Sequence, residues 1–138
     1  MRTALQRGSS AMGYSSIVSD HFLNPRNAGE MDHPDAEGRA GTPDAGPFVV
    51  IQWRIRDDRV EAARFRTFGC GPAIAACSML TEWAAGRTVA DANAISGEEL
   101  VEMLGGLPED KRFCAEMAVQ ALKQALAQLQ PRPERPCG

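Results

Sequence analysis

The chain has 138 residues, with 18 Asp and Glu against 15 Lys and Arg and a net charge of −3. A single domain of this length can bury a real core. The slight acidity and the lack of any basic run give nucleic acid nothing to hold, and no apolar stretch approaches the roughly 20 residues that cross a bilayer, so neither is expected as a partner. Four cysteines without a secretory signal point to reduced thiols in the cytoplasm rather than to a disulfide framework. None is spaced C-x-x-C, which excludes a zinc ribbon or a thioredoxin motif.

Residues 1–13 carry Arg2 and Arg7 but no apolar centre and read as a disordered leader. The folded domain is expected over residues 14–129. Ser15 to Leu23 has helical spacing, with Ile17, Val18 and Phe22 on one side. Asn24-Pro25 closes it, because the residue before proline is pushed out of the helical region. Asn27 to Gly46, rich in Gly, Pro and Asp, reads as a loop or a weak strand. Phe48 to Arg56 alternates, predicting a strand with Val49, Ile51, Trp53 and Ile55 inward and Gln52, Arg54 and Arg56 outward. Asp57-Asp58 turns the chain, and Val60 to Phe68 returns as the second strand of an antiparallel hairpin, with Phe65 inward and Arg64 and Arg66 outward.

From there the chain is helical. Pro72 to Ala85 is stopped by Gly86, and Thr88 and Ser96 each begin an N-capping pattern, that of Ser96 and Glu99 being the closer match to a capping box. A short helix from Ser96 ends near Leu104, broken by Gly105-Gly106-Leu107-Pro108. From Asp110 to about Leu129, the stripe of Cys114, Met117, Ala118, Ala121, Leu122, Ala125 and Leu126 marks an amphipathic helix. Residues 130–138 form a proline-rich flexible tail in which Cys137 is incidental. Strands followed by helices predict an α+β fold, a small antiparallel β-sheet with helices packed on one face.

Chemistry concentrates at two cysteines. Cys70 lies at the turn between the second strand and the following helix, with Gly71 giving backbone freedom and Pro72 suiting the first helical position. Cys114 also stands near a helix start, after Lys111 and Arg112. A helix N-terminus and neighbouring cations favour thiolate, the form that ligates metals and attacks sulfur. The alternative is two unrelated small apolar cysteines, each packed at its own helix. Cys77, seven residues beyond Cys70, falls about 10 Å further along the helix, too far to share one mononuclear metal with it. It is a core or near-site thiol.

Three blocks, from Tyr14-Ser15 through Asp20-His21-Phe22-Leu23-Asn24-Pro25-Arg26-Asn27-Ala28-Gly29, from Phe65 through Thr81-Glu82, and from Gly105 through Ala118, resemble in order and spacing the IscU/NifU-type (NifU N-terminal domain-like) iron–sulfur cluster assembly scaffolds. The resemblance implies a scaffold rather than an enzyme, with no catalytic residues. Such a scaffold builds a [2Fe–2S] cluster from iron and the sulfur of a cysteine desulfurase and passes it to recipient proteins, and zinc often takes the same site. A chaperone segment is represented by Gly106-Leu107-Pro108-Glu109-Asp110-Lys111. The family's ligands are three cysteines and an aspartate, with a histidine before the last cysteine. The middle and last cysteines match Cys70 and Cys114, and Lys111 matches a lysine near the site. The family's Cys-Gly-Asp loop reads here Asp44-Ala45-Gly46-Pro47, so Ala45 replaces the cysteine and Pro47 the aspartate, while Phe113 stands at the histidine.

Two thiolates do not complete a four-coordinate shell. The expectations are a labile site, with Asp44 or Cys77 as auxiliary metal ligands, or a site shared between the protomers of a homodimer. The alternatives are a metal-free pseudo-scaffold that docks on a desulfurase or chaperone, and a persulfide-carrying sulfur acceptor.

Overall fold

The structure, a computed structural model, describes residues 15–41, 48–68 and 71–129; the expected leader and tail, the loop with Asp44, Ala45 and Pro47, and Cys70 itself lie outside the described residues. Helix α1 (Ser16–Leu23) is capped by Ser15, whose side chain accepts from the Val18 N–H, and ends at Asn24 ahead of Pro25. Strands β1 (Ala36–Gly41), β2 (Phe48–Arg56) and β3 (Arg59–Phe68) form one antiparallel sheet in the order β1-β2-β3. The turn is Asp57-Asp58 as expected, both residues at positive φ (55° and 66°), as tight hairpins of this hand require. Four further α-helices follow: α2 (Gly71–Ala84), α3 (Val89–Asn93), α4 (Gly97–Met103) and α5 (Arg112–Ala127), the last entered through a 3₁₀ turn over Glu109–Lys111. Thr88 caps α3, and Ser96 with Glu99 forms a complete capping box on α4.

Helices α2 and α5 lie on one face of the sheet, α2 against β3 and α5 against β1 and β2, and α1 packs on α2. The core between sheet and helices holds Ile51, Trp53, Leu80, Leu122 and Leu126, all without exposed surface. The Gly- and Asp-rich stretch ahead of residue 46 contains a strand, β1, whose sequence Ala-Glu-Gly-Arg-Ala-Gly has little strand propensity. Its buried positions are Ala36, Gly38 and Ala40, small enough for α5 to lie almost on the backbone.

β2 departs from simple alternation. Val50 and Gln52, on the face away from the helices, are also buried, because Gln52 accepts from the Met31 N–H at 2.8 Å and donates to Glu37 at 3.0 Å. The chain leading into β1 thus seals part of the outer face. Ile55 is only half-buried, since the β2–β3 register slips between Arg54 and Ile55. No helix among the described residues is long and apolar enough to cross a membrane.

Candidate functional site

One end of the sheet gathers the anchors of every predicted ligand segment. Gly41 pairs with Phe48 and Phe48 with Phe68, so the chain leaves the sheet for residues 42–47 and for residues 69–70 at the same end. The Phe48 and Phe68 rings stack there, 5.8 Å between centroids and 8° from parallel. Helix α5 runs antiparallel to β1: the Arg39 N–H donates to Gln124 at 2.6 Å, and Gln128 donates to the Glu37 carbonyl at 2.9 Å. Counting back from Gln124 to Cys114 takes about 15 Å of helix, and going on from Arg39 to Gly41 about 7 Å of strand. Cys114 therefore projects about 8 Å beyond the end of β1, toward the side from which both segments leave.

Cys114 is the third residue of α5 and fully buried, while Phe113 beside it is 41% exposed. A phenyl ring thus faces solvent at the position expected to carry a histidine. Lys111, at the N-cap position of α5, makes no side-chain cap bond. Cys77 is also fully buried. Loss of water pushes its pKa up, and the charge of Cys114 adds to the rise. Both effects favour the thiol form of Cys77. Its nearness to Cys114 is not legible in the sequence, where the two stand on different helices. Among the described residues no group of three His, Cys, Asp or Glu can hold a metal.

Sequence reasoning also misses a buried polar cluster that fixes the Asn24-to-Gly29 segment. Ser78 Oγ accepts the Arg26 N–H at 2.9 Å and meets His21 Nδ1 at 2.7 Å. With the Ser78 proton donated to Nδ1, the ring hydrogen lies on Nε2, 3.8 Å from Glu82 Oε1. Asn27 donates to Thr81 Oγ1 at 3.2 Å. The expected side of Ile17, Val18 and Phe22 is not the one that packs: Val18 and His21 are buried, while Ile17 and Phe22 are exposed, so the sequence signal is no more than a histidine shortly before Asn-Pro. Burial first, and the Arg26 charge second, lower the His21 pKa, against the weaker upward pull of Glu82 and Asp20.

As pH falls below about 6.5, the unfolded chain therefore takes up this proton before the folded one does, and stability declines until the folded pKa is passed. Urea unfolding between pH 8 and 5 should show this decline, and His21→Gln should flatten it. Equal slopes in both proteins would mean that His21 titrates alike folded and unfolded.

Beside the same end of the sheet lies a shallow groove of about 310 Å³ lined by Pro25, Gly29, Phe65, Phe68 and Ile74, with Arg66 and Thr67 on its rim. Phe22 closes in nearby, its ring 3.1 Å from where a Cβ on Gly71 would stand.

The comparisons with known proteins bear on the family and the fold. The family described as NifU-like N terminal domain matches residues 13–136. The iron-sulfur cluster assembly scaffold protein IscU 1 of Archaeoglobus fulgidus is 43% identical over 113 residues, covering 82% of this chain and 74% of its own. The iron-sulfur cluster assembly scaffold protein IscU of Escherichia coli K12 is 41% identical over 120 residues, 84% of this chain and 93% of its own. Among solved structures, a putative iron-sulfur cluster assembly scaffold protein for the SUF system from Fervidobacterium islandicum AW-1 superposes with a TM-score of 0.66 at 19% identity, covering 86% of this chain and 99% of that one. That similarity extends to the α+β fold, a three-stranded antiparallel sheet under helices. With a family match spanning nearly the whole chain and relatives above 40% identity, this chain belongs to the NifU-like N-terminal domain family.

Proposed function

We propose that this protein is a scaffold for iron–sulfur cluster assembly, carrying iron or a [2Fe–2S] cluster as cargo on the thiolates of Cys70 and Cys114. The supporting observation is the identity, across most of the chain, with relatives named as iron-sulfur cluster assembly scaffold proteins. The protein acts as a carrier and not as an enzyme, in the cytoplasm. Its sulfur comes from a cysteine desulfurase, its cluster goes to recipient proteins, and a chaperone assists through the segment around Leu107 and Pro108. Because Ala45 and Pro47 stand where the family has a cysteine and an aspartate, each chain offers two thiolates. The shell is closed weakly, by Asp44 or a small thiol, or by a second protomer, so the cargo is labile.

Anaerobic reconstitution with iron and sulfide, followed by metal and sulfide counting per chain, tests this reading. Less than one equivalent of metal per monomer is expected, lost in Cys70→Ser and in Cys114→Ser and kept in Cys137→Ser. Tight one-to-one binding that survives both site substitutions would place the ligands elsewhere. The exposed Phe113 at a ligand position favours a second reading, a metal-free docking protein or persulfide acceptor. That reading is distinguished by absent metal and, for the acceptor, by a mass increase of one sulfur on Cys70 or Cys114 after exposure to a desulfurase and cysteine.

A further inference from the structure

β1 is an outer strand of the sheet, and alternate residues of such a strand turn their N–H and C=O groups away from it. At Glu37 and Arg39 these groups meet side chains of α5. Gln124 Oε1 accepts the Arg39 N–H at 2.6 Å, and Gln128 Nε2 donates to the Glu37 carbonyl at 2.9 Å. These are the two backbone groups that one residue of a parallel neighbouring strand would bond. The glutamines stand one helical turn apart on the same side of α5. One accepts and the other donates, so the pair of bonds forms at a single height of α5 along β1.

The rest of this contact is smooth. β1 turns Ala36, Gly38 and Ala40 toward α5, and at Gly38 the Ala121 and Ala125 backbone comes almost onto the strand. Packed elements hold their register when side-chain ridges lodge in grooves, and residues this small make no ridge. Leu122 and Leu126 are buried in the core, but hydrophobic burial is non-directional and holds a helix onto a sheet more firmly than along it. The height of α5 matters at its other end, where Cys114 lies on the same helix as Gln124. A slip by one residue moves a helix about 1.5 Å along its axis, whereas a metal–ligand distance tolerates only about 0.2 Å.

We propose that Gln124 and Gln128 are positioning residues that set the height of α5 on β1 and thereby the place of the Cys114 thiol. They touch neither metal nor sulfur. Their part is to keep the helix that carries a ligand from sliding, by bonding strand groups that cannot move with it. The consequence for metal rests on the scaffold reading, in which Cys114 is a ligand; the register itself does not.

Gln124→Met with Gln128→Met keeps side-chain length and helix propensity and removes both bonds. Both positions are exposed, so the variant should fold. The full chain without metal is treated with iodoacetamide, and each cysteine is read separately by mass spectrometry. Labelling of Cys114 relative to Cys77 should rise severalfold, because a sliding α5 carries Cys114 toward the exposed place of Phe113 while Cys77 stays on α2. A plain loss of stability would speed both alike. Cobalt(II) should leave the variant about ten times faster than the natural chain, as is usual when a group that orients a ligand is lost. Polarity provides the internal control. Gln124→Glu still accepts and Gln128→Lys still donates, so each should keep the natural labelling ratio, whereas Gln124→Lys and Gln128→Glu should shift it as the methionines do. An unchanged ratio in the double methionine variant, equal rises at Cys77 and Cys114, or no difference between the matched and mismatched substitutions would each overturn the proposal. A shifted ratio in a chain that holds no cobalt would uphold it and overturn the scaffold reading instead.

Discussion

Ala45→Cys combined with Pro47→Asp should turn a weak metal binder into a tight one. The double substitution returns a third thiolate and a carboxylate to the segment that leaves the sheet at Gly41 and re-enters at Phe48, the end toward which Cys114 projects. A closed four-ligand zinc shell is worth ~10 kcal/mol or more in small peptides, whereas an incomplete one leaves metal exchanging with solvent. At free zinc a thousandfold above Kd the folded state gains about 4 kcal/mol, which moves the melting point of a domain this size by on the order of 15 °C. Differential scanning calorimetry with zinc and with chelator checks this, alongside cluster half-life after reconstitution. If melting and retention are the same as in the natural chain, the fold has drifted beyond ligand replacement, and docking becomes the better account.

The second large effect is structural. A Cβ on Gly38 would stand 1.8 Å from the Ala121 carbonyl oxygen and 2.8 Å from the Ala125 backbone nitrogen. Both are backbone atoms of α5, so no side-chain rotation relieves the overlap. Replacing glycine in a strand by alanine would otherwise stabilise the protein by roughly 0.4–1 kcal/mol, through the smaller entropy of the unfolded chain. Overpacking costs typically 1–3 kcal/mol and more where nothing can yield. The clash wins, and Gly38→Ala should lose about 3 kcal/mol in urea unfolding. Because α5 carries Cys114, a shift of that helix should also weaken metal retention in the same variant. A neutral or stabilising Gly38→Ala would show that α5 does not lie this close to β1.

Much of the molecule is legible in its amino-acid order. The hairpin from Phe48 to Phe68 follows from alternation and from Asp57-Asp58, two residues that tolerate positive φ. The caps at Thr88 and Ser96 follow from short side chains that bond the first free N–H groups of a helix. The stripe on α5 appears as expected, with every member except Met117 buried. These are local effects, set by residues a few positions apart. The family is legible as well, because the blocks around Asn24-Pro25, Cys70 and Gly105-Gly106 keep their order and spacing.

Long-range contact decided the rest. β1 has at most a weak strand signal, and it forms because Ala36, Gly38 and Ala40 let α5 approach and because β2 offers an edge to pair with. Gln52 reads as an outward residue by period, yet it is buried once the Met31 N–H and the Glu37 carboxylate find it. His21 becomes a neutral, bonded core group only when Ser78, 57 positions away, supplies a partner. Cys77 and Cys114 are brought near each other by the packing of α2 on α5. By itself the sequence determined the helices, the hairpin, the family and the candidate ligands, since propensity, capping and turn chemistry act within a few residues. The edge strand, the polar cluster and the common end at which the ligand segments leave the sheet depended on tertiary structure, because burial and hydrogen-bond partners come from distant parts of the chain.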